Sequence, residues 1–282
     1  MTRLFHISDL HFGLEDRAAL AWFEDCVRGE RPDAVLITGD LTMRARTSEF
    51  AAACDWIEAL DVPVTVEVGN HDLPYFNPFA RFFRPYARIH RIERLVEREL
   101  DFPGIAVVPL KTTARAQWRF DWSKGWVTRR ALAKTLAAID TLPPATTILV
   151  TAHHPLVEAD TKSRALTRGG EVALTALAAR GVAAVLTGHV HDAFDLSKPT
   201  AAGPVRMIGA GTLSQRIRST PPSFNDLRVV DGQITVDVRN LGEIPTIQMQ
   251  ITDIPPDALP PREPGDPVAP VGAVPPVDPP VH

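Results

Sequence analysis

The strongest constraint on the fold of this 282-residue chain is a recurring pattern, in which a short apolar run is followed by aspartate, asparagine or histidine. Five such runs lead into the following segments: Ser8-Asp9-Leu10-His11, Gly39-Asp40, Gly69-Asn70-His71-Asp72, Ala152-His153-His154-Pro155 and Gly188-His189-Val190-His191. Short runs rich in β-branched and aliphatic residues predict buried strands. Ligands bind beyond the carboxyl ends of strands in an open α/β sheet, so we expect these polar side chains to meet at one edge.

Strand-like and helical patterns alternate over the first two thirds of the chain. The predicted strands are Leu4–Ile7, Ala34–Thr38, Val62–Val68, Ile105–Leu110, Thr147–Thr151 and Val182–Thr187. Amphipathic helices are predicted from Asp16 to Gly29, from Thr47 as the N-cap, from Thr128 and after Gly170. Later strands follow without helices between them, at Val205–Ala210, Leu227–Val230, Ile234–Val238 and Ile247–Ile251. This order predicts an α/β fold with a strand-rich C-terminal part.

Composition divides the chain into a body and a tail. Eleven of the 26 prolines lie within residues 255–282, so we predict a globular domain over 1–254 and a proline-rich acidic tail over 255–282. The net charge of −4 argues against a protein that coats nucleic acid. Two cysteines exclude a disulfide framework and a thiolate zinc site. Without a membrane-length apolar run or a signal-peptide pattern, we expect a cytoplasmic protein.

The residue types in the five segments favour a metal site. Carboxylate, amide and imidazole ligands without thiolate suit Mn, Fe, Zn or Co. Asp9 and His11 stand two residues apart, as do His189 and His191, and such side chains point to the same side of an extended segment. Two neighbouring metal ions need a bridging carboxylate, for which Asp40 is the natural candidate.

No motif alone is more than moderately specific, but the ordered set resembles the calcineurin-like metallophosphoesterases over roughly residues 3 to 192. The resemblance implies two mixed β-sheets packed face to face and flanked by helices, a four-layer αββα sandwich. It implies one metal ion held by Asp9, His11, Asp40 and His191. It implies a second ion held by Asp40, Asn70, His153 and His189.

The resemblance also implies roles for the remaining histidines. His71 would lie beside the phosphoryl group without binding metal, and Asp72 would orient its ring. His153 is the expected ligand of the adjacent pair because the family's ligand stands two residues before the proline. His154 would then lie just outside the ligand set.

The implied reaction is phosphoester hydrolysis by in-line attack of a hydroxide that bridges two metal ions, with no organic cofactor. Residues 209–225 are similar to a loop in the bacterial branch that includes class III cyclic nucleotide phosphodiesterases. This similarity implies a 3′,5′-cyclic nucleotide or another small phosphodiester as substrate, bound by Asn70, His71 and Arg216. The alternative for Arg216 is a solvated position on a loop.

Other functions are compatible with the same ligands. A phosphomonoesterase or a nucleotide or lipid pyrophosphatase would use the same metal site. A nuclease ranks lower because the chain is net negative and has no room for a DNA-binding cap domain. A non-catalytic scaffold subunit would have lost a ligand or His71, and this chain retains both. We therefore expect a small phosphoester as partner, with neither a nucleic-acid duplex nor a membrane, and the sequence does not decide between monomer and dimer.

A run of six arginines follows the Asn70 segment. These arginines either form a solvated helix face over aromatic residues or form a basic surface near the site that attracts anionic substrate. They are spaced to share one helical face: Arg81, Arg84, Arg88, Arg91, Arg94 and Arg98.

Overall fold

The computed structural model describes residues 1–73, 100, 102–113, 123–159, 161–164 and 167–243. Its strands are β1 (Thr2–Ile7), β2 (Ala34–Ile37), β3 (Val64–Val66), β4 (Ile105–Pro109), β5 (Thr147–Thr151), β6 (Ala184–Thr187), β7 (Phe194–Lys198), β8 (Val205–Gly209), β9 (Ser223–Val230) and β10 (Gln233–Asn240). Its helices are α1 (Arg17–Glu30), α2 (Thr47–Ala59), α3 (Arg129–Ile139) and α4 (Gly170–Ala178).

The strands of the described residues form two mixed five-stranded sheets. The first has the order β10-β9-β1-β2-β3, in which β1, β2 and β3 are parallel and the two C-terminal strands pair antiparallel. The second has the order β4-β5-β6-β8-β7, in which only the edge strand β7 is antiparallel. Parallel strands connected by helices carry their carboxyl ends to the same edge of each sheet.

Alternation of side chains along the strands builds a layered core. One apolar cluster lies between the sheets and joins Leu4, Ala34, Leu36 and Leu227 to Leu149, Ala184, Leu186 and Ile208. A second cluster packs Phe5 and Val35 against Phe23 of α1 and Ile57 of α2. A third packs strands of the second sheet beneath α3 and α4. The predicted αββα sandwich is confirmed.

Helix termini follow local capping chemistry. Asp16 precedes α1 and its carboxylate accepts hydrogen bonds from the N–H groups of Ala18 and Ala19. The prediction of Thr47 as an N-cap is wrong, because Thr47 is already helical and Arg46 precedes it. The Glu49 carboxylate accepts from the Arg46 N–H at 3.1 Å, and this bond fixes the start of α2.

Strands β7 and β9 show where the apolar pattern fails to predict a strand or its start. Strand β7 was not predicted because it lies at an edge, where its side chains alternate between half-buried and exposed. Strand β9 begins at Ser223, four residues before the predicted start, because its polar first half is buried. The predicted strand Ile247–Ile251, the arginines between 81 and 98 and the tail 255–282 lie outside the described residues, and the boundary at 254 stays a prediction. In the described part of the chain, no helix is long and apolar enough to cross a membrane.

Candidate metal centre

Backbone hydrogen bonds gather the polar ends of the strands into one buried cluster. The Asp9 N–H donates to the Gly39 carbonyl at 3.0 Å, which joins the loops after β1 and β2. The Gly188 N–H donates to the His153 carbonyl at 2.9 Å, which joins the loops after β5 and β6. The two sheets are then connected directly, because the His189 N–H donates to Asp9 Oδ2 at 2.8 Å.

The first group of potential ligands is formed by Asp9, His11 and His191, all buried. Asp9 Oδ1 lies 3.1 Å from His191 Nε2 and 3.6 Å from His11 Nε2, and the two nitrogens are 3.3 Å apart. His191 Nδ1 donates to the Arg216 carbonyl at 2.6 Å, which leaves the Nε2 lone pair directed at the group. Three potential metal-ligand atoms therefore converge from loops that follow strands of two different sheets.

The second group contains Asp40, Asn70 and His153. His153 Nε2 lies 3.1 Å from Asn70 Oδ1 and 3.5 Å from Asp40 Oδ2. His153 Nδ1 donates to the Thr38 carbonyl at 2.8 Å, so this histidine also presents its Nε2 lone pair. Asp40 Oδ2 is 3.8 Å from His11 Nε2, so this carboxylate lies between the two groups.

His189 and His154 occupy the far side of the second group, and their roles differ. His189 packs against the ring of His153, with ring centroids 5.2 Å apart. Both nitrogens of His154 are engaged, with Nε2 donating to the Ser123 carbonyl at 2.8 Å and Nδ1 accepting from Thr112 Oγ1 at 3.0 Å. His154 therefore supports the neighbouring loops in this arrangement.

A cation fits the donor atoms of this centre. Within the described residues, Asp9 Oδ1 is buried and has no hydrogen-bond partner, although two imidazole nitrogens face it. A buried carboxylate is costly unless it is paired, hydrogen-bonded or coordinated to metal. Oxygen and imidazole ligands that converge in this way match the requirements of a divalent first-row metal ion.

Burial and the nearby carboxylates shift the pKa values of two groups at the centre. Burial lowers the pKa of His153, but attraction to the Asp40 and Asp9 carboxylates together with its hydrogen bonds outweighs burial and raises this pKa to about 9. Burial, followed by repulsion from Asp40, raises the pKa of Asp72 to about 6. The shift of His153 therefore reflects the negative charge around it, whereas the shift of Asp72 reflects mainly its burial.

His71 and Asp72 have different partners from those expected. The His71 ring donates from Nδ1 to the Met43 carbonyl at 2.8 Å. Asp72 Oδ1 accepts from the Thr42 N–H at 2.9 Å and Oδ2 accepts from the Gly69 N–H at 2.9 Å. Because its two oxygens hold the loop backbone, Asp72 positions the segment that carries His71, whereas the Met43 carbonyl orients the ring.

Arg216 reaches the centre from a distant part of the chain. Its Nη1 lies 3.0 Å from His71 Nε2 and 3.3 Å from His11 Nε2. The structure thus brings together Asp9, His11, Asp40, Asn70, His71, Asp72, His153, His189, His191 and Arg216. Sequence reasoning missed the carbonyl groups that orient the histidine rings, because a backbone carbonyl leaves no signal in residue identity.

Several of the potential ligands adopt a strained backbone conformation. The residues with positive φ are Asp9 (57°), His11 (47°), Asp40 (53°), His189 (70°) and His191 (62°). Non-glycine residues rarely occupy this left-handed region, which costs about 1–3 kcal/mol each and is concentrated at functional sites. The tight turns direct side chains inward immediately after each strand ends.

Gly69 permits the close approach of two of these turns. A Cβ added at Gly69 would lie 2.0 Å from Asp40 Oδ1 and 2.2 Å from the Asp40 nitrogen. We therefore expect Gly69→Ala to displace the 69–72 loop, to lower stability by about 1–3 kcal/mol and to weaken metal binding. Urea denaturation and titration with Mn²⁺ measure the two effects.

Gly29 provides the matched control for that substitution. It lies within α1, and a Cβ added there meets nothing within 4 Å. Gly29→Ala should therefore stabilise the protein by about 0.5–1 kcal/mol and leave metal affinity unchanged. Equal metal affinity in Gly69→Ala and Gly29→Ala would contradict the role assigned to Gly69.

Solved structures share this fold. The chain superposes on a dimetal phosphatase from Danio rerio with a TM-score of 0.62 and 15% identity, covering 85% of this chain and 96% of that one. For a purple acid phosphatase from yellow lupin (Lupinus luteus) seeds the TM-score is 0.63 with 14% identity, covering 85% of this chain and 51% of that one. At these identities the likeness concerns the fold alone.

Curated relatives match part of the chain. A probable cyclic nucleotide phosphodiesterase from Synechococcus sp. is 32% identical over 80 residues, 24% of this chain and 30% of that protein. The glycerophosphodiester phosphodiesterase GpdQ from Enterobacter lignolyticus is 35% identical over 92 residues, 27% of this chain and 33% of that protein. The chain thus matches about a third of the length of these curated relatives.

The family assignment rests on a longer match. Calcineurin-like phosphoesterases match residues 2–193, which include both groups of potential metal ligands described above. The resemblance of the five motifs is confirmed over this range. The chain belongs to the calcineurin-like phosphoesterase family.

Proposed function

We propose that this protein is a dinuclear-metal phosphoester hydrolase that acts on small phosphodiesters, 3′,5′-cyclic nucleotides among them. The observation that carries the proposal is the position of Asp40, whose carboxylate lies between two groups of converging ligand atoms. The partial matches to two phosphodiesterases support the diester preference. The catalytic unit that we propose comprises residues 1–254.

The two proposed metal positions use the converging side chains. Asp9, His11, Asp40 and His191 would hold one ion, and Asp40, Asn70, His153 and His189 would hold the other. When bound, two ions of the Mn, Fe, Zn or Co type supply an activated water and neutralise charge on the phosphoryl group. No organic cofactor is required for this chemistry.

The polar side chains around the ligands bind and orient the substrate. Asn70 and Arg216 would donate hydrogen bonds to phosphoryl oxygens, and Arg216 adds a fixed positive charge. His71 Nε2 lies on the same side as the Arg216 guanidinium, at 3.0 Å from its Nη1. A proton on Nε2 of His71 would be positioned for transfer to the departing ester oxygen.

A panel of phosphoesters tests this proposal. The panel contains cyclic AMP, cyclic GMP, 2′,3′-cyclic nucleotides, bis-p-nitrophenyl phosphate and p-nitrophenyl phosphate, each assayed with Mn²⁺ and again after chelation. We expect Mn²⁺-dependent hydrolysis of the diesters. Hydrolysis of p-nitrophenyl phosphate alone would assign the protein to the monoesterases, and hydrolysis of no member would favour a non-catalytic scaffold.

A further inference from the structure

One segment, residues 212–219, lies across the candidate metal centre, and we call it the arginine arm because it carries Arg216. It follows β8 and lies beyond residues 2–193, the part matched by the family. Its first anchor is Thr212 Oγ1, which donates to the Asp9 carbonyl at 2.6 Å. A second anchor is the Arg216 carbonyl, which accepts from His191 Nδ1 at 2.6 Å.

Asp192 provides the third anchor, at the far end of the arm. Its Oδ1 accepts from the Ser219 N–H at 2.8 Å, and its Oδ2 accepts from Ser219 Oγ at 3.3 Å. Asp192 is only 4% exposed, although it directly follows the potential ligand His191. Hydrogen bonds to an ionised carboxylate are among the stronger ones in proteins, so this contact is suited to hold the arm.

The stretch between the last two anchors receives little support from packing. Ile217 is 54% exposed, and Arg218 and Ser219 are also exposed. Without apolar burial, the position of this stretch depends on its hydrogen bonds. Loss of the Asp192 contact would leave the Arg216 backbone fixed on one side only.

The Arg216 side chain must be held in a defined position to bind phosphate. Immobilising an arginine side chain costs conformational entropy, because its long stem has many rotamers. Its Nη1 nevertheless lies 3.0 Å from His71 Nε2 and 3.3 Å from His11 Nε2, within the proposed phosphate site. A backbone held on both sides of Arg216 reduces the number of positions that its guanidinium can reach.

We propose that Asp192 is a positioning residue that, through Ser219, holds the arginine arm so that Arg216 binds the phosphoryl group of the substrate. The phosphate affinity of the protein then depends on a buried carboxylate that binds neither metal nor substrate. This role rests on the proposed function, since it assumes that phosphate binds at the metal centre.

Inorganic phosphate and amide hydrogen exchange test the role of Asp192. In Mn²⁺-saturated protein, Asp192→Ala should raise the Kd for phosphate about tenfold and raise KM more than it lowers kcat. The affinity for Mn²⁺ should change less than about twofold, since the Asp192 carboxylate accepts its hydrogen bonds from Ser219, which is not a proposed ligand. Exchange of the Ser219 amide, measured without Mn²⁺, should accelerate at least about tenfold.

A double-mutant cycle separates positioning from general destabilisation. In an Arg216→Ala background, the further change Asp192→Ala should leave the phosphate Kd unchanged, because the guanidinium that Asp192 positions is gone. Ser219→Ala removes one of the two bonds from an exposed position and should show a smaller effect in the same direction. Asp195→Ala is the matched control, because Asp195 pairs with Arg206 and should leave phosphate affinity and Ser219 exchange unchanged.

The outcomes distinguish this role from the proposed function. Additive effects of Asp192→Ala and Arg216→Ala, or unchanged Ser219 exchange, would overturn the positioning role while phosphoester hydrolysis by the wild type still stood. If the wild type hydrolysed no phosphoester and bound no phosphate, the proposed function would fail and the role in phosphate binding with it. Ser219 exchange would even then show whether Asp192 holds the arm.

Discussion

Replacing Asp40 with asparagine should abolish hydrolysis and metal binding together. The substitution retains the shape of the side chain and an oxygen that can accept from the His71 N–H, as Asp40 Oδ1 does at 2.8 Å. It removes the negative charge that lies between the two groups of ligands. A metal ion contributes several kcal/mol to transition-state stabilisation, so we expect kcat/KM to fall by about a thousandfold or more. Isothermal titration with Mn²⁺ should show a parallel loss of affinity.

The matched control for Asp40→Asn is Asp195→Asn. Asp195 carries the same functional group but pairs with Arg206 on the second sheet, in contacts that involve none of the proposed ligands. Activity and metal affinity should be unchanged in this variant. Far-UV circular dichroism of both variants verifies that each one folds. A folded Asp40→Asn variant that binds two Mn²⁺ ions at wild-type affinity would refute the bridging role.

Removing the imidazole of His71 should separate turnover from metal binding. His71 Nδ1 is hydrogen-bonded to the Met43 carbonyl, and its Nε2 faces the Arg216 guanidinium. We therefore expect His71→Ala to retain Mn²⁺ affinity within a few-fold and to lose about 10²- to 10⁴-fold in kcat, the range of a general acid or base. Mn²⁺ titration and steady-state kinetics on the same preparation measure both quantities.

The chemistry of the leaving group sharpens that experiment. A p-nitrophenolate ion departs without help from an acid, whereas an alkoxide such as the ribose oxygen of a cyclic nucleotide needs a proton. His71→Ala should consequently reduce kcat far more for cyclic AMP than for bis-p-nitrophenyl phosphate. Equal losses for the two substrates would mean that His71 binds the phosphoryl group without donating a proton. Full activity on both would show that neither role is correct.

Much of the fold could be predicted because its strands bury apolar residues. Runs such as Ala34–Ile37 and Thr147–Thr151 are continuous in sequence and match observed strands. The apolar pattern did not predict edge or polar strands, since Phe194–Lys198 is half exposed and the first half of β9 is polar. Burial of those polar residues depends on partners far away in the chain, as in the Asn225 side chain that donates to the Gly209 carbonyl.

The side chains of the candidate site could be predicted as a set, but their contacts could not. The resemblance to the family implied that Asp72 orients the ring of His71. In the structure, the Asp72 carboxylate accepts from Thr42 and Gly69, so it fastens two loops instead. Such contacts depend on the direction in which each turn points its side chain, and several of these turns have positive φ.

Residue types and their spacing determine which chemistry the chain can support. Asp9, Asp40 and the histidines are metal-ligand types, and each follows a run whose apolar character predicts a strand. Tertiary structure decides which atoms face each other. It selects the Nε2 lone pair of His153 through the Thr38 carbonyl and brings Arg216 within 3.0 Å of His71 across 145 residues of chain. The physical reason is that apolar burial is encoded locally, whereas hydrogen-bond partners across two sheets exist only once both sheets have packed.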